Sequence, residues 1–247
     1  MKVLFVGPTL HGEVVAGRLK GEPEIECRGP ARQGDIASAV LEGATSIGLI
    51  DGRYEDVAAP WHKEILFALS HGVFVLGGGS LGALRAAECA AFGMIGVGAI
   101  FERYVSGELV DDSDIAQLHA PAEMDYIPLT EALVNIEETL RSLVASGLLD
   151  ARAGSDLRPV AHSIHFKKLT FEAIVERSAV PNAEADRLLK LFKLHRVDLK
   201  RRDAHLLIAR MKELPAGRFV KSAPWIMSEP RVWRRYMARR RGTSEIF

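Results

Sequence analysis

Two kinds of apolar spacing alternate along the first half of this chain, and one of them takes over in the second. Residues 2–7 (KVLFVG) form a short apolar run closed by Gly7-Pro8, the pattern of a buried strand with a loop at its C-terminal end. Thr9, His11 and Gly12 are read as opening a short helix, and residues 24–27 as a second strand. In residues 33–42 (QGDIASAVLE), Ile36, Ala37, Val40 and Leu41 fall on one helical face. Residues 46–50 (SIGLI) predict a third strand, which delivers Asp51-Gly52-Arg53 at its end. Residues 61–69 (WHKEILFAL) predict a helix with a strongly apolar face, closed by Gly72. The fourth strand, residues 73–76 (VFVL), runs into Gly77-Gly78-Gly79, then Ser80, then the helix-forming LGALRAAE of residues 81–88. This alternation predicts an α/β fold: an open, mainly parallel sheet with flanking helices in Rossmann-like layers. Ligands of such sheets bind at the C-terminal strand ends, which brings residues 7–9, 51–53 and 78–80 to one rim.

Beyond about residue 120 strand signals become sparse. Leu129, Leu133, Ile136, Leu140 and Leu143 form the stripe of a long amphipathic helix, and helical patterns recur over 166–177, 184–195 and 202–212. Pro215 and Gly217 interrupt the last of these, and Pro224 and Pro230 break the stretch beyond it. Residues 231–241 (RVWRRYMARRR) are read as a basic helix or an unstructured tail. The predicted division is an α/β domain, residues 1–120, and a mainly helical domain, residues 121–247.

Charge sharpens this division. The chain of 247 residues balances 32 Lys and Arg against 32 Asp and Glu, so composition names no polyanionic partner. Residues 1–120, however, carry 9 basic and 16 acidic side chains, against 23 and 16 in residues 121–247. An acidic half joined to a basic one predicts a basic docking surface for protein association. Six arginines between 231 and 241 have only Trp233 and Tyr236 as stacking aromatics, so nucleic acid is not the expected partner. Cys27 and Cys89 lack metal or disulfide spacing, no run is long enough to span a membrane, and the N-terminus reads as a strand. Together these predict a cytoplasmic protein with no membrane association.

Ser80 is the leading candidate for chemistry. Gly78-Gly79-Ser80-Leu81-Gly82 fits the G-x-S-x-G nucleophile elbow, in which a serine hydroxyl is presented above the sheet edge. Two other readings compete. Gly77-x-Gly79-x-x-Gly82 also satisfies a dinucleotide fingerprint, with Glu102 at about the right distance, although it follows the fourth strand rather than the first. Alternatively, the glycines only allow close packing and Ser80 is a helix N-cap. A serine needs a base, and His62, His71 and Lys63 precede it; Lys63 requires desolvation to act as a neutral amine. Asp51, Arg53 and Glu55 share a loop that orients the base, binds an acidic substrate group, or merely turns. Arg85 and Glu88 are spaced to pair with each other. His162 and His165 lack the further ligands of a metal site, and no cofactor or metal is expected.

Several blocks in order carry a family resemblance: GPTL (7–10), ARQGDI (31–36), IGLIDGRYEDV (47–57), WHKEILFAL (61–69), GGGSLGALRAAE (77–88), FGMIGVGAIFERYVSGEL (92–109) and DDSD (111–114). Over roughly residues 5–140 the chain resembles TfuA-like proteins. The resemblance implies work beside a YcaO-type enzyme, which activates a peptide backbone amide for sulfur insertion. The TfuA-like partner would hydrolyse the C-terminal thiocarboxylate of a ThiS-like sulfur-carrier protein, releasing sulfide. The family's Ser-Lys pair falls on Ser80 and Lys63. The family more often has alanine or serine where this chain has Gly78-Gly79, a departure that loosens the turn. The oxyanion or the substrate is then expected to meet the Gly7-Pro8-Thr9 loop, Gly79, Leu81, Asp51, Arg53 and Arg85. The alternative is a non-catalytic adaptor that recruits or activates the YcaO enzyme and its peptide, with Ser80 purely structural.

Overall fold

A computed structural model describes residues 1–53, 55–219 and 225–241, so Pro224 lies outside the described residues. Its centre is one seven-stranded sheet. The strands are β1 (Lys2–Phe5), β2 (Val14–Val15), β3 (Arg18–Leu19), β4 (Glu22–Arg28), β5 (Ser46–Leu49), β6 (Phe74–Gly78) and β7 (Ile95–Val97). They lie in the order β2-β3-β4-β1-β5-β6-β7. From β4 to β7 every neighbouring pair is parallel, whereas β2, β3 and β4 form an antiparallel edge. Counted in chain order, the parallel strands run 2-1-3-4-5, a doubly wound arrangement. Its switch point lies between β1 and β5, where the loops bearing Gly7 and Asp51 leave the sheet.

The helices are α1 (Asp35–Leu41), α2 (His62–Ser70), α3 (Leu81–Cys89), α4 (Ala99–Val105), α5 (Leu133–Ala145), α6 (Ala151–Ser163), α7 (Phe171–Arg177), α8 (Asn182–His195), α9 (Leu199–Lys212) and α10 (Arg231–Arg241). Strand alternation sorts the core. Val3, Phe5, Ile47 and Val75 face α1 and α2, and Leu4, Val6, Ile25 and Leu76 face the other way.

The short helix expected after Thr9 is instead a single 3-10 turn, Pro8–Leu10, followed by the β2–β3 hairpin. Ala16 and Gly17 both have positive φ, the conformation of a two-residue hairpin turn that matches strand twist. A hairpin in place of a crossover helix leaves the sheet face beneath it open. Helix α9 covers that face, inserting Ala204, Leu207, Ile208 and Met211 among Leu4, Ile25 and Leu76. A Cβ on Gly48 would lie 2.7 Å from Leu4 and 3.0 Å from Leu207, so this glycine makes room for α9.

Helices α5, α6, α7 and α8 share a cluster of their own, built on Leu133, Ile136, Leu140 and Leu143 of the expected stripe. Leu129 precedes α5 and stays exposed. The last helix joins the sheet. On α10, Trp233 and Met237 are buried with Ile65, Phe67 and Val40, and Trp61 meets Trp233 edge-on at 5.9 Å. The helical second half is thus divided between a separate cluster and both sheet layers. Replacing buried Trp233 by alanine is expected to destabilise the fold by about 3–5 kcal/mol in urea unfolding. A change below about 0.5 kcal/mol would mark α10 as a surface appendage.

Candidate functional site

The turn between β6 and α3 positions Ser80. Gly79 has φ +72°, which a glycine adopts without Cβ cost, and the Ser80 N–H donates to Gly78 O at 2.8 Å across this γ-turn. The neighbouring glycines serve packing. A Cβ on Gly82 would sit 1.7 Å from Leu49 O, and one on Gly77 would sit 2.0 Å from Gly82 O. Ser80 occupies the N-cap position of α3, yet its hydroxyl makes no capping hydrogen bond. The Gly82 N–H reaches Ile50 O at 3.0 Å and the Ala83 N–H reaches Ser80 O at 2.8 Å. Among the described residues the Leu81 N–H has no acceptor. A free main-chain donor directly after an uncommitted serine hydroxyl is the arrangement an oxyanion needs.

Ser80 opens on a cleft of about 490 Å³ at the C-terminal rim of the sheet. Pro8, Asp51, Arg53, Gln117, Tyr126 and Lys200 also line it. Asp51, at the end of β5, is 2 % exposed and spends its carboxylate on the loop after β1. It accepts the Gly7 N–H at 2.8 Å, the Thr9 N–H at 3.1 Å and the Thr9 hydroxyl at 2.6 Å. The Gly7–Thr9 donors expected to meet an oxyanion are therefore already engaged, and Pro8 between them has no N–H. Their part is to tie the β1 and β5 ends together across the switch point. Arg53 reaches the cleft but is paired with Asp56.

Of the residues expected beside Ser80, two sit elsewhere. Arg85 donates to Pro60 O at 3.2 Å and to Glu88 at 2.6 Å, and it does not line the cleft. Lys63 is half-buried in the first turn of α2 and does not line it either. His62 beside it is bonded to Glu88 at 2.8 Å.

The lysine in the cleft wall is Lys200, 2 % exposed, in the first turn of α9. Its main-chain carbonyl lies 3.1 Å from where a Cβ on Gly79 would project, so the turn bearing Ser80 and the start of α9 abut. Asp198 caps α9 through the Arg201 N–H at 3.1 Å, and Asn135 of α5 accepts the Lys200 N–H at 3.1 Å. Burial drives the Lys200 ammonium below the ordinary lysine range, opposed by the negative charge of Asp51. A cation in the first turn of a helix is also opposed by the helix dipole. The residue was invisible to motif reading. Its only sequence signal is a lysine two places after a capping aspartate, where acidic residues are favoured.

Elsewhere, His162 bonds Glu137 at 2.8 Å, and among the described residues no group of three His, Cys, Asp or Glu side chains is arranged to hold a metal ion. No helix among the described residues is long and apolar enough to cross a membrane. No curated protein matches the chain. Residues 51–170, running from Asp51 through Ser80 and Gln117 to the far side of the cleft, match the family model described as TfuA-like protein.

Proposed function

We propose that the chain hydrolyses the C-terminal thiocarboxylate of a small ThiS-like sulfur-carrier protein, with Ser80 as nucleophile and Lys200 as its base. The sulfide would feed a YcaO-type enzyme that thioamidates a peptide backbone. One observation carries the reading: an uncapped serine hydroxyl and a buried, deprotonation-prone lysine line one cleft, beside an unengaged Leu81 N–H. The family match is its context, and Lys200 comes from outside the matched residues.

In this reading neutral Lys200 takes the Ser80 proton and Ser80 Oγ attacks the thiocarboxylate carbon. The Leu81 N–H meets the developing oxyanion. The C–S bond breaks, the Lys200 ammonium returns its proton to the departing sulfur, and hydrosulfide leaves. Water, deprotonated by Lys200, then cleaves the Ser80 ester to a carboxylate. The Lys200 ammonium returns that proton to the departing Ser80 oxygen, which restores the serine, and the new carboxyl group releases its own proton to solvent.

The test is incubation of the full-length protein with a thiocarboxylated carrier, following sulfide release and trapping the Ser80 ester by mass spectrometry. Sulfide and a Ser80 adduct are the expected result. Normal assembly with the YcaO enzyme, without sulfide or adduct, would favour the adaptor instead.

A further inference from the structure

The partners of the Lys200 amine are both uncharged. Nζ donates to the main-chain carbonyl of Ile115 at 2.9 Å and to Gln117 Oε1 at 2.7 Å. A neutral primary amine has two N–H bonds and one lone pair, so these acceptors use both N–H bonds and leave the lone pair. An ammonium would carry a third N–H, which makes no hydrogen bond to the described residues in this arrangement. Neutral carbonyl oxygens also stabilise the ammonium far less than a carboxylate at the same distance would.

We propose that Gln117 is the positioning residue for the base. Its amide oxygen, together with the Ile115 carbonyl, holds the Lys200 amine with its lone pair directed into the cleft toward Ser80. The inference rests on the Ser80–Lys200 reading and adds the device that makes the lysine usable.

The segment bearing these two acceptors is fixed on both sides. Before it, the acidic DDSD stretch forms a 3-10 turn, with the Ser113 N–H on the Asp111 carboxylate at 2.8 Å and the Asp111 N–H on Asp114 at 3.4 Å. This capping box gives the four-residue acidic motif a structural role, which is to aim Ile115 and Gln117 at α9. After it, the Leu118 N–H donates to the Thr130 hydroxyl at 2.7 Å and Leu118 O accepts the Leu129 N–H at 2.8 Å.

The charged groups that act on Lys200 are already paired. Asp51, Asp198 and Glu131 favour its proton and Arg196 opposes it. Asp51 holds the Gly7–Thr9 loop, Asp198 caps α9, and Glu131 takes both arms of Arg196 at 2.6 and 3.0 Å. Arg53, Glu55, Asp56, His119, Glu123 and Tyr126 complete the ionisable cleft wall, and none of them is bonded to Nζ. The nearest acceptors therefore set the fine position of the amine.

The test replaces Gln117, which is half-buried, by the same-shaped glutamate. Full-length protein carrying 13Cε-lysine is titrated by NMR, and phosphonylation of Ser80 by a fluorophosphonate probe is followed across the same pH range. Gln117→Glu is expected to move both midpoints up by about 1–3 pH units. Gln117→Leu, which cannot accept, is expected to lower the plateau rate by about ten- to a hundredfold while KM for the carrier holds. Coincident NMR midpoints for Lys200 in the native protein and Gln117→Glu would overturn the proposal. If instead Lys200→Met were phosphonylated as fast as the native protein, the reading of Lys200 as base would fail, and the NMR midpoints would still judge Gln117.

Discussion

Lys200→Met is expected to cut sulfide release by about 10²–10⁴-fold, the range for losing a general base. Ser80→Ala should cost at least as much, and the double substitution little more than either, because nucleophile and base act as one unit. Lys200→Arg should be as inactive as Lys200→Met, since a guanidinium stays protonated at working pH. Lys63→Ala and His62→Ala should retain activity, as neither side chain lines the cleft. The reverse pattern, with Lys63→Ala dead and Lys200→Met active, would return the base to α2. In the native protein the rate should rise with pH through the Lys200 pKa, which burial holds below 10.5. Stability supplies a check that needs no substrate. A lysine whose folded pKa is depressed binds fewer protons in the native than in the unfolded state, so its penalty grows as pH falls from 10.5 to the folded value. Stability of the native protein should therefore rise with pH across that window relative to Lys200→Met. Parallel pH–stability curves would show that Lys200 is not held neutral.

The second large effect is expected at Asp51. Its carboxylate accepts three hydrogen bonds from Gly7 and Thr9 in a buried setting. Asp51→Asn keeps the size and one oxygen for the two N–H donors, but it removes the charge from all three bonds and forces the Thr9 hydroxyl to accept from an NH₂ group instead of donating. With bonds to charged groups contributing about 1.5–3 kcal/mol each, a loss of about 3 kcal/mol or more is expected in urea unfolding. The charge matters separately, because Asp51 favours the Lys200 proton. Removing it should lower the Lys200 pKa further and move the pH–rate midpoint down. A loss of stability with an unmoved midpoint would confine Asp51 to tying the two loops together.

Much of the architecture was legible in local pattern. The apolar runs that became β1, β5 and β6, the amphipathic face of α1, and the strand–glycine–serine–helix sequence at Ser80 each satisfy a spacing rule within one element. Such rules see which side of an element is buried. Consequently the parallel sheet and the place of Ser80 at its rim followed from the chain alone, as did the helices built on Leu133, Ile136 and Leu140. What local pattern misses is short or made by distant partners. The two-residue strands β2 and β3 carry no period, and β7 is three residues long. The open sheet face and the helix α9 that fills it come from opposite ends of the chain.

The same limit explains the site. Lys63 and Lys200 are both lysines in the first turn of a helix, and sequence offers no measure of how deeply either is buried. Lys63 lies in the helix that precedes Ser80, and the family resemblance places the Ser-Lys pair on these two residues. Burial, however, belongs to the assembled fold. Docking α9 against the Gly79 turn, with its N-terminus held by Asn135 of α5, removes Lys200 from water and gives it Ile115 and Gln117 as partners. The chain's own sequence determined the serine, its glycine turn and the parallel sheet that presents them. Which lysine loses its hydration, and which donors Asp51 leaves free, was decided only by tertiary packing, because desolvation and hydrogen-bond competition depend on every group that closes around a site.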